Sequence, residues 1–124
     1  MSKLFTVLLM VFCHIIDDYC LQGILASMKQ RSWWKKNYPD KRYRHDHIMA
    51  LAMHGFSWTF MVMLPIAALM EFNPTLFFYI CFLANWLEHS LIDHLKANLG
   101  KISLVTDQLC HIVQILLTAA LLLR

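Results

Sequence analysis

Charge is scarce in this chain. Asp, Glu, Lys and Arg supply only 15% of its 124 residues, against 59% apolar residues. Soluble domains carry about 25% charged residues, so a chain wetted on every face is excluded as the first reading. Mean hydropathy of +0.51 points instead to an integral membrane protein. Glycine and proline are also scarce, with three of each. That excludes collagen-like and flexible linker-rich architectures. The four cysteines, at 13, 20, 81 and 110, match neither a disulfide framework nor a CxxC metal motif. They read as small packing residues. A cleavable leader is not expected either. Lys3 and Leu4–Cys13 resemble its first two regions, but His14, Asp17 and Asp18 follow where a small-residue cleavage site belongs. The first segment therefore reads as a retained helix. No internal repeat is evident.

What the chain does have is apolar length. Four segments, at 3–26, 47–70, 75–97 and 102–123, are each near the ~20 residues that cross a bilayer. The expectation is an all-α fold, an integral membrane four-helix bundle forming one domain over 1–124. Pro65 is expected to kink the second helix. Asn73-Pro74 and Gly100 mark the later turns.

Connection 27–46 differs in kind. It holds Lys29, Arg31, Lys35, Lys36, Lys41, Arg42 and Arg44, with Trp33, Trp34, Tyr38 and Tyr43 interleaved. The second connection carries Glu71 and no Lys or Arg, and the third carries Lys96 and Lys101. The positive-inside bias places the first and third in the cytoplasm and both termini outside. This fits a bacterial inner membrane. Basic residues with aromatics also bind nucleic acid, but headgroup contact and snorkelling fit a membrane chain better.

Three polar pairs interrupt the apolar segments: His14 with Asp18, His89 with Asp93, and Asp107 with His111. Spacing of four puts each pair on one helix face. Under the expected topology these pairs and His54 lie in the cytoplasmic half of the membrane, within about a turn or two of one depth. The faces continue through Gln22, Asn85, Lys96, Gln108 and Gln114. Ionisable groups in apolar helices are costly and face a bundle interior or wet cavity. One His–Asp pair alone is often just a buried hydrogen bond. Three pairs and His54 at a common depth suit a divalent metal, one or two ions of Zn²⁺, Mn²⁺ or Fe²⁺. His14, Asp18, His54, His89, Asp93, Asp107 and His111 are the expected ligands. Asp17 and Glu88 sit one position off a polar face and read as supporting or interfacial groups. His94 reads as interfacial, and His45 and His47 as solvated.

These motifs carry a resemblance. His14 to Gln22 looks like an H-x3-D-(F/Y)-x-L-Q opening, His89 to Lys96 like H-x2-I-D-x2-K, and Asp107 to His111 like D-Q-x2-H. With an isolated His54, they resemble a small integral-membrane family of bacteria and phages known only as a domain of unknown function. A looser similarity is to membrane-bound metal-dependent hydrolases, which place His-rich helical motifs in a small membrane domain. In this chain most second positions are Asp instead.

The leading expectation is a metal-dependent hydrolase at the cytoplasmic leaflet, acting on a phosphoester or lipid headgroup. Lys96 would stabilise developing charge, and Gln22 and Gln108 would orient ligands or water. The alternatives are a proton, ion or metal transporter, and a metal-free interaction protein working through its basic connection. The nearly apolar outer halves argue against a conduit. Four short helices also suit a homodimer.

Overall fold

Three of the four long helices begin on a hydroxyl cap. Ser2, Thr75 and Ser103 accept hydrogen bonds from the backbone N–H groups of Phe5, Phe78 and Thr106. Each satisfies a donor that a helix start leaves open. The computed structural model describes residues 1–124 and contains no strand. Its helices are α1 (Lys3–Ile16), α2 (Leu25–Met28), α3 (Arg31–Asn37), α4 (Asp46–Leu69), α5 (Leu76–Ala97) and α6 (Leu104–Leu122).

The expected first helix over 3–26 does not run through. After Ile16 the chain widens into a π-helical turn, Asp17–Leu21. It then breaks at Gly23, whose φ of +50° favours glycine. The other three long helices fall within two residues of their expected bounds. α4 runs continuously through Pro65. The connection expected as a plain basic loop contains α2, α3 and a 3-10 turn, Lys41–Tyr43.

Three segments are long and apolar enough to cross a membrane: Lys3–Leu21, Lys41–Leu69 and Leu104–Leu122. α5 is not among them, although it is 22 residues long. The polar residues it buries, Asn85, His89 and Asp93, lower its hydropathy. Much of its outer face is apolar, through Leu76, Ile80, Leu83, Leu87 and Leu91, with Glu88 exposed among them.

α4 packs against both α1 and α5, and α6 closes against α5 and α1. Gly55 permits the α4–α5 approach: a Cβ there would collide with Ser90 Oγ and stand 3.3 Å from the Trp86 carbonyl oxygen. The core divides into two ends. Met10, Val62, Met63, Ile66, Phe78 and Ile115 fill one. The other is polar and equally buried: His14, Asp17, His54, His89, Asp93, Asp107 and His111 are each at most 2% exposed.

Candidate metal centre

The π-turn sets the first part of the site. Gln22 N–H reaches back five residues to the Asp17 carbonyl, at 3.1 Å. The wider turn directs two consecutive carboxylates inward, one to each side of the His54 ring. Asp17 Oδ2 is 3.6 Å from His54 Nδ1, and Asp18 Oδ1 is 3.4 Å from His54 Nε2. Ser57 fixes Asp17 by donating its hydroxyl to Oδ1 at 2.6 Å. π-turns of this kind are frequent at functional sites.

Around His54 Nε2 the donors converge. His89 Nε2 lies 3.2 Å away, and Asp93 Oδ2 lies 3.4 Å away. His89 Nε2 and Asp93 Oδ2 are 3.8 Å apart. The other side of each group continues the cluster. His89 Nδ1 is 3.2 Å from His111 Nδ1. His111 Nε2 is 3.7 Å from Asp93 Oδ1 and 3.5 Å from Asp107 Oδ1. These N–O separations exceed the ~2.9 Å of a good hydrogen bond. Asp18 Oδ1, Asp107 Oδ1 and His111 Nε2 are buried without a hydrogen-bond partner. Two sets of three can hold a metal ion: Asp18 with His54 and His89, and His89 with Asp93 and His111.

Two lysines balance part of the charge. Lys29 Nζ donates to Asp93 Oδ2 at 2.6 Å, and Lys96 Nζ to Asp107 Oδ2 at 2.5 Å. With Asp17 and Asp18, four carboxylates face two ammonium groups. Burying the carboxylates that the lysines leave unpaired is costly unless a metal ion or a protonated imidazole offsets it. Lys29 and Lys96 also line a cavity of about 60 Å³ with Asp18, Gln22 and Gln108. This cavity borders the cluster on the side of the basic connection.

Neighbouring side chains hold the imidazoles in place. Trp58 is fully buried and stacks on His89, with centroids 4.2 Å apart and planes 16° apart. Its Nε1–H donates to His14 Nδ1 at 2.8 Å. His14 therefore carries its proton on Nε2, which faces Gln108 Oε1 at 3.1 Å. Both His14 nitrogens are thus engaged within the protein. Gln108 also donates to Asp18 Oδ2 at 3.3 Å and Asp107 Oδ2 at 3.1 Å. Gln22 Nε2 donates to the Asp18 carbonyl.

Beyond the imidazoles lies a second buried polar group. Asn85 Nδ2 donates to Thr118 Oγ1 at 2.8 Å, and Gln114 Nε2 to the Asn85 carbonyl at 2.8 Å. Past it the apolar core fills the remaining interior.

All seven residues expected as ligands are brought to this one cluster. Asp17, expected off the polar face, is instead buried against His54. Glu88 is exposed on α5 and remote from the cluster. His47, expected to be solvated, is 4% exposed and stacks near His94, with centroids 6.3 Å apart. It sits in the first turn of α4, where the helix already packs inward. His45 is exposed and His94 half-buried. Lys29 and Trp58 were not anticipated. Trp58 carries a legible signal, since it follows His54 at i+4 and shares its face. Lys29 carries none: within a run of cations, only tertiary contact distinguishes it. Asn98 supplies that contact, donating to the Lys29 carbonyl at 2.9 Å and accepting from Arg31 N–H at 2.6 Å.

A family model described as a protein of unknown function (DUF3307) matches residues 4–123, and the chain belongs to that family. No curated protein and no solved structure matches it.

Proposed function

Since membership of that family brings no assigned chemistry, we propose from the site itself that the protein is a membrane-embedded, metal-dependent hydrolase. α1, α4, α5 and α6 would form a four-helix membrane bundle. The largely apolar outer face of α5 supports a fourth span, because Asn85, His89 and Asp93 are buried away from lipid. The centre would open toward the cytoplasmic leaflet, since the basic connection lies at that end.

One observation carries this reading. The donors around His54 Nε2 stand 3.2–3.4 Å from it. Tetrahedral ligands at ~2.0–2.1 Å from a common ion stand about 3.3 Å from one another. The two carboxylate contacts are longer than a good hydrogen bond. Asp18, His54, His89 and Asp93 would be the inner ligands. Asp107 and His111 extend the set toward a second ion, with Asp93 able to face both through its two oxygens. His14, engaged at both nitrogens, would support the ligands from outside. A divalent cation would offset the carboxylates that Lys29 and Lys96 leave unpaired. The donor set of imidazole and carboxylate suits Zn²⁺, Mn²⁺ or Fe²⁺.

Such an ion supplies an activated water and polarises the substrate oxygen. The protein's own groups prepare the rest. Asp17 would orient His54 from the Nδ1 side, where its Oδ2 stands 3.6 Å away. Trp58 covers His89 and excludes water from that side. Gln108 holds Asp18 and Asp107 in register. Lys96, 27% exposed at the small cavity, would stabilise negative charge on a phosphoryl or acyl oxygen. A phosphoester or lipid headgroup is the substrate class that two lysines beside a metal would attract.

A proton, ion or metal conduit would use similar residues. The apolar core from Met10 to Ile115 closes the far side of the cluster, which supports an enzyme over a channel. Metal content of detergent-purified protein, read by elemental mass spectrometry, tests the proposal. About one equivalent, lost in the Asp93→Ala/Asp107→Ala variant, is expected. No metal after reconstitution with Zn²⁺, Mn²⁺ and Fe²⁺ would overturn it.

A further inference from the structure

The basic connection is more than a charged loop. Of its seven cations, Lys29 is bound to Asp93 and Arg42 to Asp40. Five remain, and four of them, Arg31, Lys35, Lys41 and Arg44, line a single cavity of about 330 Å³. None of these four is ion-paired. The one carboxylate at the cavity, Asp40, is occupied by Arg42, which meets Oδ1 through its backbone N–H at 2.9 Å and Oδ2 through its guanidinium at 3.2 Å.

This cavity has a fixed wall. Trp34 is 9% exposed, and its Nε1–H donates to the Met28 carbonyl at 2.6 Å. Tyr43 stacks over Trp34 with planes 18° apart, and Tyr38 packs against both rings. Long flexible cations normally spread apart to reduce repulsion. Here an aromatic floor and the 3-10 turn at Lys41–Tyr43 hold their backbones around one space. Four unpaired, exposed cations that line one cavity suit an anion.

Its position identifies the anion. The cavity lies in the stretch that joins two candidate spans, Lys3–Leu21 and Lys41–Leu69. Aromatic and basic side chains at span ends sit at headgroup level. We propose that this cavity binds the phosphate of an anionic phospholipid headgroup. The guanidinium groups of Arg31 and Arg44 match phosphate oxygens in pairs, and Lys35 and Lys41 add charge. The site shares no residue with the metal centre and stands without it.

Native mass spectrometry of the detergent-purified protein tests this, with an equal mixture of phosphatidylglycerol and phosphatidylcholine. Retention of phosphatidylglycerol over phosphatidylcholine is expected. Arg31→Gln/Arg44→Gln should weaken that retention by about thirtyfold, whereas Lys101→Gln, an exposed lysine in another connection, should not. Equal retention of both lipids, or no effect of the double variant, would overturn the proposal. Titration with glycerol phosphate separates lipid from soluble ester. Binding as tight as the lipid's would overturn the membrane source. Metal content of the same samples should be unchanged in the double variant, so this site and the metal centre fail separately.

Discussion

Lys29 Nζ lies 2.6 Å from Asp93 Oδ2, across 64 positions of sequence. The ammonium group occupies an oxygen that also faces His54 and His89. On the proposed metal reading it would act as a stand-in cation in the metal-free protein and yield part of that oxygen to a bound ion. Lys29→Met should therefore harm the metal-free protein most. Breaking a buried pair by removing one partner costs about 3–5 kcal/mol. Thermal unfolding in chelator should show that loss, and saturating Zn²⁺ or Mn²⁺ should largely restore the midpoint. A loss that metal does not repair would show that Lys29 is only a structural partner of Asp93.

The buried carboxylates of α5 and α6 are not equivalent. Asp93 faces His54, His89 and His111, whereas Asp107 faces only His111 among the imidazoles. Asp93→Ala should abolish metal binding. Asp107→Ala should weaken it by about 10–100-fold, the range for groups that support a site from its edge. Circular dichroism should show the helices intact in both. Equal loss in the two variants would make Asp107 an inner ligand. Full metal affinity in Asp107→Ala would remove it from the site.

Asp17 offers a test that separates orientation from ligation. Its carboxylate meets the side of His54 away from the other donors, and Ser57 holds it there. Asp17→Asn keeps the shape and the contact with Ser57 but removes the charge beside Nδ1. Metal affinity should fall about 10–100-fold with stoichiometry unchanged. Loss of the ion altogether would mean that Asp17 itself ligates.

How much of this was legible depends on how local each signal is. The i,i+4 pairs His14/Asp18, His89/Asp93 and Asp107/His111 are local, and each falls on a buried helix face. The common depth of those pairs with His54 followed from hydropathy alone. The π-turn is not local in that sense. No residue type specifies one extra position in a turn, so Asp17 read only as a supporting or interfacial group, and its place beside His54 was not legible. Lys29 was hidden by composition, since six other cations surround it and only its docking to Asn98 and Asp93 sets it apart. α5 was legible as a helix, yet the residues that make it functional also lower its hydropathy below that of its neighbours.

The Asn85–Thr118 pair tests whether the interior beyond the site is held by polar contacts. Hydrophobic burial gives little net drive between helices in lipid, so packing and interhelical hydrogen bonds carry more of the association. Asn85 Nδ2 donates to Thr118 Oγ1 at 2.8 Å, joining α5 to α6 one turn from His89 and nearly two from His111. Asn85→Leu alone leaves the Thr118 hydroxyl buried with fewer partners, at about 1–3 kcal/mol. Asn85→Leu/Thr118→Val removes both ends of one bond and should recover part of that cost, because matched apolar replacement is close to neutral. The cycle is read by thermal unfolding of all four proteins in one detergent. A double variant no better than the sum of the singles would show that the two residues act independently. Metal affinity in the same set should change little, since neither side chain reaches the ligand cluster.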